Sequence, residues 1–132
     1  MTGNTIYQIA RTKGMSDALA KFIAAQAAHE TGGFTSRIFQ SNNNAFGMKY
    51  AGQLLALGEK NGYANYSNLG KSVEDLIAWY NRKRSLGAYI FTPVTTLDQY
   101  VLFLKTNRYF EAPLNEYLNG CRHFYFKLFP VE

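Results

Sequence analysis

The sequence predicts a mainly α (α+β) domain that carries one small β-hairpin. Apolar residues recur at intervals of three and four in several segments, which indicates amphipathic helices. Asn61-Gly62 is the strongest short signal for a hairpin turn. Hydrophobic residues make up 47% of the chain, which excludes a disordered protein. Because 132 residues suffice for one hydrophobic core and not for two, we expect a single domain over residues 1–132.

Three helices are predicted in the first third of the chain, over residues 5–13, 16–31 and 36–39. Thr5 and Gln8 have the spacing of a capping box for the first helix, and Ser16 is the predicted cap of the second. The inward stripe of the second helix is predicted to contain Leu19, Phe22, Ile23 and Ala27. The Ser and Asn residues at 41–44 then predict an irregular loop.

The rest of the chain predicts a hairpin followed by three helices. The segment 46–66 lacks helical periodicity, so we place the hairpin there, around Asn61-Gly62. The first helix is predicted over 72–84, opened by Ser72, with Val73, Leu76, Ile77 and Tyr80 facing inward. The second follows a capping box at Thr96 and Gln99, and the third begins at Pro113.

The net charge of +5 and the sequence pI near 9.4 predict a surface that attracts polyanions, either nucleic acid or bacterial cell wall. The dense basic cluster at 82–84 is predicted to be a solvated helix end. Cys121 is the single cysteine, which excludes an internal disulfide. The few Cys and His residues do not suggest a metal site, and no cofactor is expected. No signal peptide and no membrane-spanning run are expected.

Glu30 is the first candidate for chemistry, because it closes the most regular helical stretch just before Gly32-Gly33. It continues the apolar stripe of that helix, so its carboxylate is predicted to turn inward. Burial and the negative end of the helix dipole both disfavour the charged form and should raise the pKa of Glu30. That is what a general acid requires near neutral pH. The alternative is a helix-ending glutamate that curls out to solvent.

The nine carboxylates can be sorted by elimination. Five are predicted in first turns of helices, where a negative charge is stabilised by the dipole: Asp17, Glu74, Asp75, Asp98 and Glu116. Glu111 precedes a proline in a loop, and Glu132 ends the chain. Glu30 remains, with Glu59 in the hairpin, where a two-residue turn would place it opposite Ala64. Two carboxylates in unlike environments are what glycoside hydrolysis uses, so elimination suggests this pair.

Three segments carry a resemblance in their order and spacing. They are Gln26-Ala27-Ala28-His29-Glu30-Thr31-Gly32-Gly33, Asn43-Asn44-Ala45-Phe46-Gly47-Met48-Lys49, and Tyr63-Ala64-Asn65-Tyr66-Ser67 followed by Ser72-Val73-Glu74-Asp75. These segments are similar to the glucosaminidase family of peptidoglycan hydrolases. The later Asn107-Arg108-Tyr109 resembles the cleft-lining tyrosine segment of that family, so matching positions run from about Ala24 to Tyr109. The resemblance implies a lysozyme-like fold. It also implies cleavage of the β-1,4 bond between N-acetylglucosamine and N-acetylmuramic acid.

The resemblance implies that Glu30 is the general acid. It also implies that Glu59 is the second catalytic carboxylate, which in this family lies in a β-lobe of variable length. The residues it implies for substrate binding or cleft support are Asn44, Phe46, Tyr66 and Tyr109. His29 departs from the more usual apolar residue before the acid and is predicted to be a flanking side chain. Phe46 and Trp79 are also compatible with the core.

Several alternatives stay open. The substrate's own 2-acetamido group could replace Glu59, with Tyr66 positioning it. A muramidase or lytic transglycosylase on the same fold, or a non-enzymatic basic module that binds wall glycan or nucleic acid, would also fit the composition. Cys121 and His123 as a nucleophile pair is disfavoured, because two residues apart on a helix they point away from each other.

The expected partner is peptidoglycan rather than nucleic acid or a membrane, and a monomer is expected for a cleft enzyme. A small basic glucosaminidase is similar to a bacteriophage lysis or virion enzyme, or to a domain excised from a larger autolysin. We therefore expect action at the bacterial cell wall, after delivery by a phage, synthesis in the host cytoplasm or export as part of a larger protein.

Overall fold

The computed structural model describes residues 2–87, 90 and 92–130, and that part of the chain contains six α-helices and one two-stranded sheet. The helices and strands, in chain order, are α1 Thr2–Thr12, α2 Asp17–Glu30, α3 Arg37–Asn42, β1 Gly58–Lys60, β2 Tyr63–Asn65, α4 Leu69–Arg84, α5 Leu97–Thr106 and α6 Leu114–Leu128. The predicted mainly helical architecture with a small hairpin is confirmed. Glu132 lies outside the described residues.

Helix α2 is the centre of the core. It packs against α1, α5 and α6, and every residue from 22 to 28 is buried. The sequence predicted a single apolar stripe, but this helix is covered on all sides because small residues let its neighbours approach closely. The small residues in question are Ala24, Ala25, Ala27 and Ala28, none of which is exposed. A helix fixed on every side holds its last residue, Glu30, in a defined position.

The locally encoded boundaries are confirmed. Ser16 caps α2 by accepting a hydrogen bond from the Leu19 amide, and Thr96 with Gln99 forms the full capping box of α5. Asn61 and Gly62 both have positive φ, +57° and +83°, as a two-residue hairpin turn requires.

Three boundaries were predicted wrongly. Helix α1 begins at Thr2, so Thr5 lies inside it and does not cap it. Helix α3 runs three residues beyond its predicted end. Helix α4 begins at Leu69 with Asn68 as its cap, one turn earlier than Ser72. Gly70 lies in that first turn, and glycine has a low helix propensity. The turn was therefore not predicted from the sequence.

The hairpin is tied to the loop that follows α3. Its register pairs Gly58 with Asn65, Glu59 with Ala64 and Lys60 with Tyr63, so the predicted pairing of Glu59 with Ala64 is confirmed. The Ala64 amide donates to the Met48 carbonyl at 2.9 Å. This bond fixes the hairpin relative to the 43–49 loop.

No helix among the described residues is both long enough and apolar enough to cross a membrane.

Candidate active site

A cleft of about 860 Å³ opens beside the last turn of α2. Its lining comes from α2, the loop that leads to the hairpin, one face of α4, and the segment after α5. The lining residues are Glu30, Phe46, Gly47, Met48, Lys49, Ala51, Gly52, Gln53, Leu54, Asp75, Ala78, Trp79, Arg82, Arg108, Tyr109, Phe110 and Glu111. This volume lies in the range of about 300–1,000 Å³ that is typical of ligand sites.

Glu30 faces this cleft, which confirms the predicted inward orientation. The backbone at Gly47 has a φ of +61°, and a Cβ there would stand 3.5 Å from the Glu30 Oε2 atom. That distance is an ordinary contact, so the positive φ rather than the close approach favours glycine here. Burial raises the pKa of Glu30, and the nearby Tyr117 hydroxyl opposes that rise only in part. The protonated carboxyl is thus favoured in the folded protein.

Tyr117 is held beside Glu30 by two ring contacts. Its ring stacks on Phe110, with centroids 3.7 Å apart and planes 3° apart, and meets the edge of His29 at 4.6 Å. His29 in turn packs against α6 at Gly120, where a Cβ would lie only 2.1 Å from the His29 Nδ1 atom. Burial lowers the pKa of His29, so its neutral form is favoured. His29, the predicted flanking residue, therefore holds the Tyr117 ring next to Glu30.

Three tyrosine hydroxyls, those of Tyr66, Tyr109 and Tyr117, are buried without a hydrogen bond of ordinary geometry to the described part of the protein. Burial raises the pKa of all three. Proximity to Glu30 raises the pKa of Tyr109 and Tyr117 further. The three phenols therefore stay neutral at physiological pH and are available as hydrogen-bond donors. Trp79 meets the Tyr109 ring edgewise at 5.0 Å and also lines the cleft.

Asp75 was assigned wrongly to a first helical turn. Because α4 begins at Leu69, Asp75 lies in its second turn and lines the cleft. Its neighbour Glu74 instead pairs with Lys13 and Lys71 at the surface. Burial raises the pKa of Asp75, whereas the Tyr66 hydroxyl and the Leu55 backbone amide oppose that rise. Tyr66 and Asp75 influence each other's pKa, although their geometry falls short of an ordinary hydrogen bond.

A signal for this face of α4 exists in the sequence. Asp75, Ala78, Trp79 and Arg82 follow one another at helical spacing, and all four line the cleft. The sequence interpretation used the opposite stripe of the helix, whose members are Val73, Leu76, Ile77 and Tyr80, and all four of these are buried. The sequence prediction therefore considered only the core-facing side of α4 and left out the side that lines the cleft.

The other predicted site residues fall into two groups. Phe46 is 1% exposed and contributes to the cleft lining. Asn44 is fully buried and lies outside the lining. Its side chain donates to the carbonyls of Met48 and Ala64 and accepts from the amides of Phe46 and Met48, so it shapes the loop from behind.

Glu59 is exposed on β1 and is not among the cleft-lining residues, so its catalytic role stays a prediction. Cys121 is buried and His123 is exposed. Among the described residues, no group of three or more His, Cys, Asp or Glu side chains is arranged to hold a metal ion.

A protein-family model described as Glucosaminidase, mannosyl-glycoprotein endo-beta-N-acetylglucosaminidase, matches residues 5–122. This range contains every residue that lines the cleft. No curated protein and no solved structure matches the chain.

Proposed function

This chain belongs to the glucosaminidase family of glycoside hydrolases, and we propose that it is an endo-β-N-acetylglucosaminidase of bacterial cell wall, with Glu30 as its general acid. The observation that carries the proposal is the half-buried Glu30, which follows the fully buried residues 22–28 of α2 and faces an open cleft. The bond cleaved is the β-1,4 linkage that follows N-acetylglucosamine and precedes N-acetylmuramic acid. The net charge of +5 favours an anionic polymer such as this one.

The first chemical role is protonation of the leaving oxygen. Burial keeps Glu30 protonated to higher pH than an exposed glutamate, which is the direction that a general acid requires. The nearby Tyr117 hydroxyl can stabilise the carboxylate that is left after proton transfer. A positioned general acid of this kind contributes about 10²–10⁴-fold to the rate.

The second role is attack on the anomeric carbon, and we assign it to the substrate's own 2-acetamido group. Its carbonyl oxygen forms the new bond to the anomeric carbon while the bond to the protonated leaving oxygen breaks. The oxazolinium ion that results is then opened by water, whose proton passes to the Glu30 carboxylate. Asp75 lines the cleft and is suited to accept a hydrogen bond from the acetamido N–H. The neutral phenol of Tyr109, which lines the cleft, is suited to position the same group. Tyr66 is 1% exposed and outside the lining, so it is suited to support Asp75 rather than to touch the substrate.

The sequence instead predicted water activation by Glu59, with the acetamido route as the competitor. The exposure of Glu59 and its position outside the cleft lining favour the acetamido route. The two routes differ in stereochemistry, since double displacement through the acetamido group retains the anomeric configuration and direct attack by water inverts it. NMR observation of the first anomer released from a soluble glycan therefore separates them.

Reducing-end analysis tests the bond specificity. Purified protein is incubated with peptidoglycan, the products are reduced with borohydride, and the reduced sugars are identified by mass spectrometry. Our proposal predicts reduced N-acetylglucosamine. Reduced muramic acid would instead identify a muramidase, and a 1,6-anhydro end would identify a lytic transglycosylase.

A further inference from the structure

Three cations line the same cleft as Glu30: Lys49, Arg82 and Arg108. All three are exposed, and within the described ranges none of their side chains takes part in an ion pair or a hydrogen bond. Two of the three carboxylates in the lining, Glu30 and Asp75, have raised pKa values. The three cations are therefore free to pair with anionic groups of a ligand.

The basic cluster at 82–84 forms the last turn of α4, as predicted, and its members have different surroundings. Arg84 donates hydrogen bonds to the backbone carbonyls of Ile90 and Thr92, so it fixes the chain that follows α4. Arg82 instead lies on the face of α4 that carries Asp75 and Trp79, and it lines the cleft. Only Arg82 of the three is placed to meet a bound glycan.

Arg108 occupies a backbone position that normally favours glycine. Its φ is +60°, and it follows the end of α5 in a Schellman motif. The Tyr109 amide donates to the Leu104 carbonyl at 2.9 Å, and the Arg108 amide donates to Lys105 at 3.0 Å. An arginine here bears a conformational cost that glycine avoids. Arg108 lines the cleft, and a role there would account for that cost.

From these observations we infer that Arg82 and Arg108 bind carboxylates carried by the glycan and select anionic wall polymer over neutral chitin-type polymer. This inference rests on the proposed function. Muramic acid differs from glucosamine by a lactyl ether whose carboxyl group is either free or joined to a peptide with carboxylates of its own. A guanidinium presents paired N–H donors that match a carboxylate. The lactyl group and the peptide are thus two sources of a carboxylate for these arginines.

The test measures affinity in a Glu30→Gln background, so that substrate is not consumed. Three soluble ligands are compared: neutral chitin oligosaccharides, peptide-free wall glycan with free lactyl carboxylates, and wall glycan that carries peptides. Arg82→Gln and Arg108→Gly are each expected to weaken binding of anionic glycan by about tenfold, in the range of one charge-assisted hydrogen bond. Binding of the neutral oligosaccharide should change by less than about twofold, because it offers no carboxylate.

Two controls accompany these variants. Arg37→Gln removes the same charge from an exposed residue outside the cleft and should leave every affinity unchanged. Arg108→Gly should unfold at the same temperature as the parent or higher, because glycine suits the positive φ. Loss of binding in that variant then cannot be attributed to unfolding.

Each outcome has a definite meaning. Weaker binding of peptide-free glycan identifies the lactyl carboxylate, and weaker binding of peptide-bearing glycan alone identifies the peptide. Equal losses on neutral and anionic ligands, or no loss in either arginine variant, would overturn the inference. Failure of the proposed function would be seen separately, as the absence of new reducing ends when the parent enzyme with Glu30 intact is incubated with wall glycan.

Discussion

The two glutamates singled out by elimination lie in unlike regions of the molecule. Glu30 ends a helix whose preceding residues, 22–28, are buried without exception. Glu59 lies on a three-residue strand of a two-stranded sheet and is exposed. A packed helix fixes the direction of its last side chain, whereas a short hairpin leaves one face open to water. The comparison shows that packing partly buries Glu30 and raises its pKa, which supports the proposed acid role, whereas Glu59 stays exposed.

The largest effect is expected from Glu30→Gln. This change keeps the size of the side chain but removes the proton that is donated, so peptidoglycan cleavage should fall by about 10²–10⁴-fold. Release of reducing ends measures the loss. Glu116→Gln is the matched control, because Glu116 is an exposed first-turn residue of α6 outside the cleft. If Glu30→Gln kept more than a tenth of the parent activity, Glu30 would not be the general acid.

The next effect is expected from Asp75→Asn, which tests the cleft face of α4. Loss of the carboxylate should weaken orientation of the acetamido group and lower kcat by about 10²-fold. A merely structural Asp75 would leave the anomeric outcome and the pH profile unchanged and would lower activity only in proportion to folded protein. Measuring kcat, the pH profile and thermal unfolding on the same preparation separates these cases.

A smaller effect is expected from Gly120→Ala, which disturbs the support of Glu30 at a distance. The new Cβ would collide with the His29 ring, so the ring must move away from Tyr117. Overpacking of this kind costs about 1–3 kcal/mol of unfolding free energy. The double variant Gly120→Ala with His29→Ala should recover part of that stability in chemical denaturation. Equal stability of Gly120→Ala and the parent would contradict the contact.

The pH dependence of stability sharpens the comparison further. Below the ordinary pKa of 4.5, Glu30 is protonated in both folded and unfolded states. As the pH rises, the unfolded chain ionises first, so the parent loses stability until the raised pKa of the folded state is passed. Glu30→Gln lacks this loss. Its melting temperature relative to the parent should therefore increase between pH 4 and pH 8, and a constant difference would contradict burial of the acid.

The smallest effect is expected from Glu59→Gln. Because Glu59 is exposed and outside the cleft lining, its loss should change kcat by less than about threefold, within the scatter of exposed-charge effects. Inversion of configuration, together with a loss of 10²-fold or more, would assign water activation to Glu59. That result would support Glu30 and Glu59 as the catalytic pair, as the sequence predicted, and would contradict the acetamido route.

Local signals in the sequence predicted much of the fold. Ser16, the Thr96 capping box and Asn61-Gly62 act through backbone hydrogen bonds and dihedral preferences that depend on a few neighbouring residues. The orientation of Glu30 followed from periodicity within one helix. The family resemblance then connected these segments, and the match over residues 5–122 agrees with it.

The missed features depend on tertiary structure or on a displaced boundary. Asp75 was sorted as a first-turn residue because the start of α4 was placed one turn late. The positive φ of Arg108 was not predicted, because arginine rarely adopts that conformation and gives no sequence signal for it. The contact of His29 with Gly120 joins two helices far apart in the chain, so neither residue alone predicts it.

The most direct test of the central claim is a comparison of two titrations on the parent enzyme. The Glu30 carboxyl is titrated by carbon NMR in free enzyme, and kcat/KM for a soluble wall glycan is measured over the same pH range. Our account predicts a Glu30 pKa above 4.5 that coincides with the alkaline fall in kcat/KM. A Glu30 pKa at or below 4.5, or an alkaline fall that persists unchanged in Glu30→Gln, would contradict it.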